Sequence, residues 1–317
     1  MNYRKLGKTD LRVSDIGFGC WAIGGHSYGE VNDEESLLAL HTAYEKGVNF
    51  FDTADSYGNG HSEEILATFI KGHPRERMII ATKCGHDFYQ GAIRKNFASK
   101  YIRFACEESL KRLEIDTIDL YQLHNPSLEI LEQGEAIQTL EALRLEGKIR
   151  YIGVSLHGTD TALRCLEDAR VDALQVLFNL IDQRMSFRIF PLAAEKKKGI
   201  IVREPLANGL LTGKYQVDSQ FPKNDHRHGW TLEKRQEDFA KLQKIQTILA
   251  TKRFSLARAS LEYALAFESV STVIPGAKTA SQVLENILAS TEPQLRSQEA
   301  SLLRDLYMRD PLFPKKD

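Results

Sequence analysis

Short apolar runs alternate along the chain with longer stretches in which apolar residues recur every three or four positions. The runs SDIGFG (14–19), VNFFD (48–52), MIIAT (78–82), TIDLY (117–121), IRYIGV (149–154), DALQVL (172–177), GIIVR (199–203) and STVI (271–274) are rich in Ile, Val, Leu and Phe. They lack strict apolar–polar alternation, as strands of a parallel sheet covered on both faces do. The stretches between them read as amphipathic helices. Asn32-Asp33-Glu34-Glu35 opens the first like a capping box, Leu37, Leu40 and Tyr44 form its stripe, and Gly47 stops it. Ser62 ahead of Glu63-Glu64 is expected to cap the second, with both acids as helix-end charges. Ile102, Cys106, Ser109 and Leu113 share a face of the third, Ile137 and Leu140 begin the stripe of the fourth, and Thr159-Asp160 starts the fifth.

Eight strands, each followed by a helix, predict an α/β fold, a closed (β/α)8 TIM barrel formed by one domain over residues 1–317. An open doubly wound sheet is the alternative, but the first strand runs into Gly17-Phe18-Gly19-Cys20-Trp21 rather than into a GxGxxG turn. The rhythm breaks longest after the seventh strand, from Leu206 to about Lys234, and a stretch of that size in a compact domain is usually a functional loop.

Composition narrows the function classes. A net charge of −1 gives no general attraction to nucleic acid or anionic lipid, and Lys196-Lys197-Lys198 reads as a solvated helix end before Gly199. No apolar leader opens the chain, and no run approaches the roughly 18 apolar residues of a membrane span. Cys20, Cys84, Cys106 and Cys165 form no CxxC pair and no cluster with histidine, so a metal is not expected. That usage fits a reducing cytoplasm. Cys84 is expected to be a small buried residue, and His226 and His228 to lie in a surface loop.

The polar ends of three strands carry the chemistry. Asp52 with Tyr57, Lys83, and His124 fall at the C-terminal ends of the second, third and fourth strands, where neighbouring strands would bring them together. A lysine ammonium beside a phenol favours phenolate and lowers its pKa, a carboxylate beyond it keeps the lysine charged, and an imidazole can orient a carbonyl oxygen. Such a set suits proton donation to an oxygen on which negative charge develops. Lys83 alone would also allow a Schiff-base lyase.

The contexts DTADSYG, TKCG and LHNP, with the tail IPGAK and QVLEN, resemble the aldo-keto reductase superfamily in order and spacing. The resemblance runs from Tyr3-Arg4-Lys5-Leu6-Gly7, which it makes part of an N-terminal β-hairpin, to Asn286. It implies an oxidoreductase that reduces an aldehyde or ketone with NADPH (NADH being possible), Tyr57 giving the proton and Asp52, Lys83 and His124 assisting. It further implies that Ser155 and Gln175 hold the carboxamide and that Arg203 lies against the nicotinamide. Pro205, Leu206, Ala207, Asn208 and Lys214 would lie near the pyrophosphate, and Gly276, Lys278, Gln282, Glu285 and Asn286 at the adenosine end. Trp21 is a further cofactor-contact candidate and, with Phe88, Tyr89 and Trp230, a pocket wall; His157 could approach the same space. Potassium-channel β subunits share this fold and much of the cofactor site, so a regulatory cofactor-binding subunit is the alternative.

Three positions depart from the family pattern. Leu156 stands where many relatives have Asn, Arg203 where many have an aromatic, and Gln282 where an arginine often grips the 2′-phosphate. The charge of Arg203 is expected to weaken binding of the oxidised cofactor more than of the reduced one. The stretch from Glu292 to Asp317 would either cover the barrel mouth or pack on the barrel base.

Overall fold

The structure, a computed structural model, describes residues 1–25, 28, 29, 31–249 and 254–314. In chain order its strands are β1 (Tyr3–Lys5), β2 (Arg12–Ser14), β3 (Phe18–Gly19), β4 (Phe50–Asp52), β5 (Ile79–Cys84), β6 (His86–Asp87), β7 (Arg94–Lys95), β8 (Ile118–His124), β9 (Ile149–Leu156), β10 (Ala173–Leu177), β11 (Gly199–Arg203) and β12 (Val270–Val273). The helices are α1 (Asp33–Glu45), α2 (His61–Lys71), α3 (Ser99–Leu113), α4 (Leu128–Gln133), α5 (Glu135–Leu145), α6 (Thr159–Glu167), α7 (Met185–Glu195), α8 (Leu232–Leu249), α9 (Leu256–Leu265), α10 (Ala280–Thr291) and α11 (Ser297–Arg309). Eight strands form one curled parallel sheet in the order β3-β4-β5-β8-β9-β10-β11-β12, flanked by helices. Each of the eight apolar runs supplies one of these strands. The first gives only Phe18–Gly19, because Ser14 is spent in the β1–β2 hairpin.

Several helix ends form for the expected reasons. The Asn32 side chain accepts from the Glu35 N–H and the first turn of α1 carries three acids. The predicted face of α3 is buried at Ile102, Cys106, Ser109 and Leu113. Two expectations are corrected. Ser62 is not the cap of α2; Gly60, at φ 101°, precedes the helix. The Ser62 hydroxyl instead donates to the Cys20 carbonyl at 3.0 Å and accepts from Thr53 at 2.9 Å. Lys198 is not solvated: it folds back to the carbonyls of Asp168 and Val171, leaving Lys196 and Lys197 in water.

The period-two alternation of the strands sorts side chains into two environments. Phe50, Ile79, Ala81, Leu120, Ala173 and Ile201 point to the inside of the curl and pack with Leu6, Leu11 and Val13 of the hairpin region and with Ile274. The alternate positions, among them Phe51, Ile80, Tyr121, Val154, Leu156, Leu174 and Val202, join the larger core under the helices. Moving two residues along the inner face replaces the apolar layer with a polar one: Asp52, Lys83, Gln122, Ser155, Gln175 and Arg203. The hairpin seals the apolar end, and the polar layer faces the other.

The C-terminal helix packs on other helices. Helix α11 packs beside α8, with Arg304 over the Phe187 ring at 4.8 Å. From Glu292 through Pro314 the chain therefore packs on helices at the flank of the fold, which corrects both expected placements; residues 315–317 lie outside the described ones. The four cysteines are free and buried. Among the described residues no helix is long and apolar enough to cross a membrane.

Leu6 is fully buried at the centre of the apolar layer. Leu6→Ala is expected to lower folding stability by about 2–5 kcal/mol, read as a shifted urea midpoint at constant slope; an unchanged midpoint would show that the hairpin is a dispensable cover.

Candidate active site

The polar layer is built around Lys83, whose side chain has no exposed surface. Its Nζ donates to Asp52 Oδ1 at 2.5 Å, to the Thr53 carbonyl at 2.8 Å and to the Tyr57 hydroxyl at 3.3 Å. Asp52 ends β4 opposite Ala81 of β5, and Lys83, two residues further along β5 and of the same parity, reaches its carboxylate. Tyr57 comes from the loop after β4, which is tied to β5 by the Asp55 N–H donating to the Lys83 carbonyl at 3.2 Å. The second oxygen of Asp52 accepts from Gln122 Nε2 at 3.0 Å and Gln175 Nε2 at 2.7 Å, and Ser155 donates to Gln175 Oε1 at 3.2 Å. The Tyr57 ring lies beneath Trp21 at 6.0 Å and edge-on to His124 at 5.8 Å between centroids.

Burial and charge fix the protonation states. Burial opposes the Lys83 charge, but Asp52 and Tyr57 overcome it, so its pKa rises and it stays an ammonium. Burial also raises the Tyr57 pKa; Lys83 pulls it down and Asp52 pushes it up, and the net direction is upward. The sequence expectation was a lowered value. The difference arises first from burial of the phenol, and then from the carboxylate 2.5 Å from Lys83, which offsets part of the lysine's pull. Burial, then Lys83, His86, Arg203 and His157, hold His124 well below 6.5, which makes it a neutral imidazole. The site thus combines a protonated phenol, a charged amine and a neutral histidine, a set able to give a proton to an oxygen without first taking one from water.

These groups open on a cavity of about 660 Å³ within the 300–1,000 Å³ range of small-molecule sites. Asp52, Tyr57 and His124 line it, with Lys83 behind them. Trp21, Gln175, Arg203, Pro205, Leu206 and Asn208 also line it, as do Lys214, Gly276, Lys278, Gln282, Glu285 and Asn286. Ser155 and Ala207 do not reach its surface; Ser155 lies behind Gln175. The long loop after β11 supplies much of one wall, and its backbone turns sharply there, with Glu204, Ala207 and Asn208 at φ of 52°, 47° and 54°. Left-handed backbone at non-glycine residues is costly and clusters at functional sites.

Two of the departures look different in three dimensions. Leu156 is completely buried and belongs to the core under the helices, so its side chain faces away from the cavity. The Arg203 guanidinium pairs with Glu204 and donates to His157 Nδ1 at 2.8 Å. Glu204 thus offsets the charge expected to repel an oxidised cofactor.

Other expectations fail by position. Phe88 and Tyr89 stack on each other at 4.2 Å and pack by Arg112 rather than lining the cavity. Trp230 packs on Phe221 and His226. His228 holds the Phe221 carbonyl as a loop residue, but His226 is partly buried, 5.0 Å from Trp21 and 4.5 Å from Tyr28. Glu63 is a buried acid that pairs with Arg112 at 2.8 Å and accepts from Thr82 at 2.6 Å. Lining residues that sequence reasoning missed include Tyr28, His86, Asn125, Glu204 and Arg227. Of these, Asn125 directly follows a candidate and Glu204 adjoins Arg203, so adjacency could have flagged both. Tyr28 donates to Asn208 at 2.9 Å, and Lys278 donates to the Tyr28 carbonyl at 2.6 Å, contacts between distant segments that no local pattern announces.

The model of the Aldo/keto reductase family matches residues 15–308. An uncharacterised oxidoreductase of Bacillus subtilis, YqkF, is 33% identical over 97% of this chain and 98% of its own length. The L-galactose dehydrogenase of Arabidopsis thaliana is 31% identical over 91% of this chain and 88% of its length. Among solved structures, an aldo-keto reductase of Bacillus halodurans in its holo form superposes with a TM-score of 0.83 at 30% identity, covering 99% of this chain and 97% of that one.

The depressed His124 value has a measurable consequence. The unfolded chain takes up a proton near pH 6.5 that the folded chain refuses, so the unfolded state binds more protons and stability falls as pH drops through that value. Urea midpoints are expected to decrease from pH 7.5 to 5.5, with a shallower decrease in His124→Asn; parallel decreases in the two proteins would refute the assignment.

Proposed function

The chain belongs to the aldo/keto reductase family, and from that premise we propose that it is an NADPH-dependent reductase of aldehydes or ketones in which Tyr57 donates the proton. The observation that carries the proposal is the contact chain Asp52–Lys83–Tyr57, at 2.5 and 3.3 Å, ending at a cavity that His124 also lines. We take the curled sheet to be a closed (β/α)8 barrel forming one domain. Parallel bridges from Ile16 to Val273 and Gly19 to Gly276, joining the segment around β3 to the end of β12, support that view.

The residues present fit a nicotinamide dinucleotide. One continuous cavity reaches from Tyr57 to the start of α10, and Lys214, Lys278 and the Arg227 guanidinium put cationic groups along it. Gln175, Arg203 and Trp21 would hold the nicotinamide end. Pro205, Leu206, Asn208 and Lys214 would hold the pyrophosphate, and Gly276, Lys278, Gln282, Glu285 and Asn286 the adenosine. When bound, the reduced cofactor supplies hydride to a carbonyl carbon. Tyr57 places its hydroxyl against the carbonyl oxygen and gives up its proton as charge builds there. Lys83 stabilises the resulting phenolate, and Asp52 keeps the lysine charged and fixed. Neutral His124 donates a hydrogen bond that orients the same oxygen. Trp21, packed on Tyr57, keeps water from the phenol. Lys278 gives a 2′-phosphate one cation, and Gln282 adds none. NADPH is thus the preferred cofactor, with NADH accepted at a modest disadvantage.

Lys83 is sealed under three oxygens, which argues against a Schiff-base role. Tyr57→Phe is expected to lower turnover of a panel of aldehydes and ketones by about 10²–10⁴-fold, followed as NADPH oxidation, while the dissociation constant for NADPH stays within about twofold of wild type. Tight NADPH binding without turnover of any carbonyl by the wild type would overturn the proposal in favour of a regulatory cofactor-binding subunit.

A further inference from the structure

Beside the acid and its helpers stands a second imidazole that proton donation does not require. His86 opens the β6–β7 hairpin, and its ring centroid lies 4.4 Å from that of His124. The hairpin is anchored: Asp87 accepts from the side chains of Asn96 at 3.1 Å and Arg94 at 3.5 Å, and Lys95 donates to the Asn125 carbonyl at 2.5 Å. His86 lines the cavity, and among the described residues its ring nitrogens have no hydrogen-bond partner. Burial, then Lys95 and Lys83, holds it below 6.5, so it offers one N–H and one lone pair. Asn125 follows His124 at φ 57°, lines the same wall, and its side-chain amide likewise makes no hydrogen bond among the described residues. An alkyl or aryl substituent set against these groups would strip them of water and return no bonds.

Resting on the reductase reading, we propose that His86 and Asn125 form a subsite for a second oxygen, and that the substrate is a small carbonyl compound with a hydroxyl or carbonyl oxygen on the carbon next to the reacting one. The reacting oxygen sits between Tyr57 and His124. The neighbouring oxygen then meets His86, the next ring along the wall, with the Asn125 amide as a further donor. Reduction converts the C=O π bond into a C–H bond, by hydride from the reduced nicotinamide dinucleotide, and an O–H bond, by the Tyr57 proton. The second oxygen is unchanged and serves only to bind.

The test compares kcat/KM for glycolaldehyde (added hydroxyl), glyoxal (added carbonyl) and propionaldehyde (neither), with NADPH. Wild type is expected to favour the oxygenated aldehydes. His86→Phe, which keeps the ring contact with His124, should lower that preference about tenfold, chiefly through KM. His86→Gln, which keeps an N–H donor, should retain most of it. Asn125→Gly, suited to the positive φ, should lower it several-fold, and tryptophan quenching by NADPH checks that each variant is folded. A loss confined to glycolaldehyde assigns the subsite to a hydroxyl, one confined to glyoxal to a carbonyl, and a loss for both to either oxygen. Turnover with preferences unchanged in His86→Phe and Asn125→Gly overturns the subsite alone. Absence of any Tyr57-dependent turnover in the wild type overturns the reductase reading and the subsite with it.

Discussion

An ammonium removed from water costs several kcal/mol unless oxygen atoms replace its hydration, and Lys83 is removed completely. Asp52, the Thr53 carbonyl and the Tyr57 hydroxyl supply those oxygens. Asp52 is buried in turn, and its second oxygen needs donors, which Gln122 and Gln175 provide from two further strands. One buried charge thereby commits the inner face of four strands and the loop after β4. The phenol that completes the set touches the lysine and opens on the cavity, carrying there the proton that the buried pair supports.

That commitment is affordable because the sheet separates its polar and apolar layers. Two residues before the polar groups, the same inner face carries Phe50, Ala81, Leu120 and Ala173, packed on the hairpin around Leu6. The hairpin closes one end and leaves the polar layer at the other, where the loops after the strands build the cavity wall. The loop after β11 bends through left-handed backbone at Glu204, Ala207 and Asn208. Its Asn208 is bonded to Tyr28, from the segment between β3 and α1. Scaffold and wall therefore divide the work: rigid strands hold the acid, and strained or bridged loops shape what it meets.

Much of this was legible in the sequence because the decisive groups sit at strand ends, where a polar residue after an apolar run is conspicuous. All eight strands and the convergence of Asp52, Tyr57, Lys83 and His124 follow from that signal. What escaped depends on which face a residue takes or on contacts between distant segments. Gln122 lies just past the run 117–121 and matters only because it shares the inner parity of His124. Leu156 looked like a loss to the cofactor site, yet its parity turns it into the helix-side core. Glu63 resembles a helix-end charge until Arg112, from another helix, is placed beside it. Ser62 finds better partners across the fold than in its own helix. The raised Tyr57 pKa escaped because complete burial of the phenol, which no local pattern shows, outweighs the pull of Lys83.

The central claim is that Asp52, Lys83 and Tyr57 act as one unit, with Asp52 working through Lys83. A double-mutant cycle on kcat/KM for carbonyl reduction, using Asp52→Asn, Lys83→Met and the double variant, tests this directly, with thermal unfolding to confirm that each protein is folded. The account predicts that the double variant is no slower than Lys83→Met alone, since a carboxylate with no lysine to hold has nothing left to contribute. Losses that multiply would contradict it and make Asp52 an independent contributor.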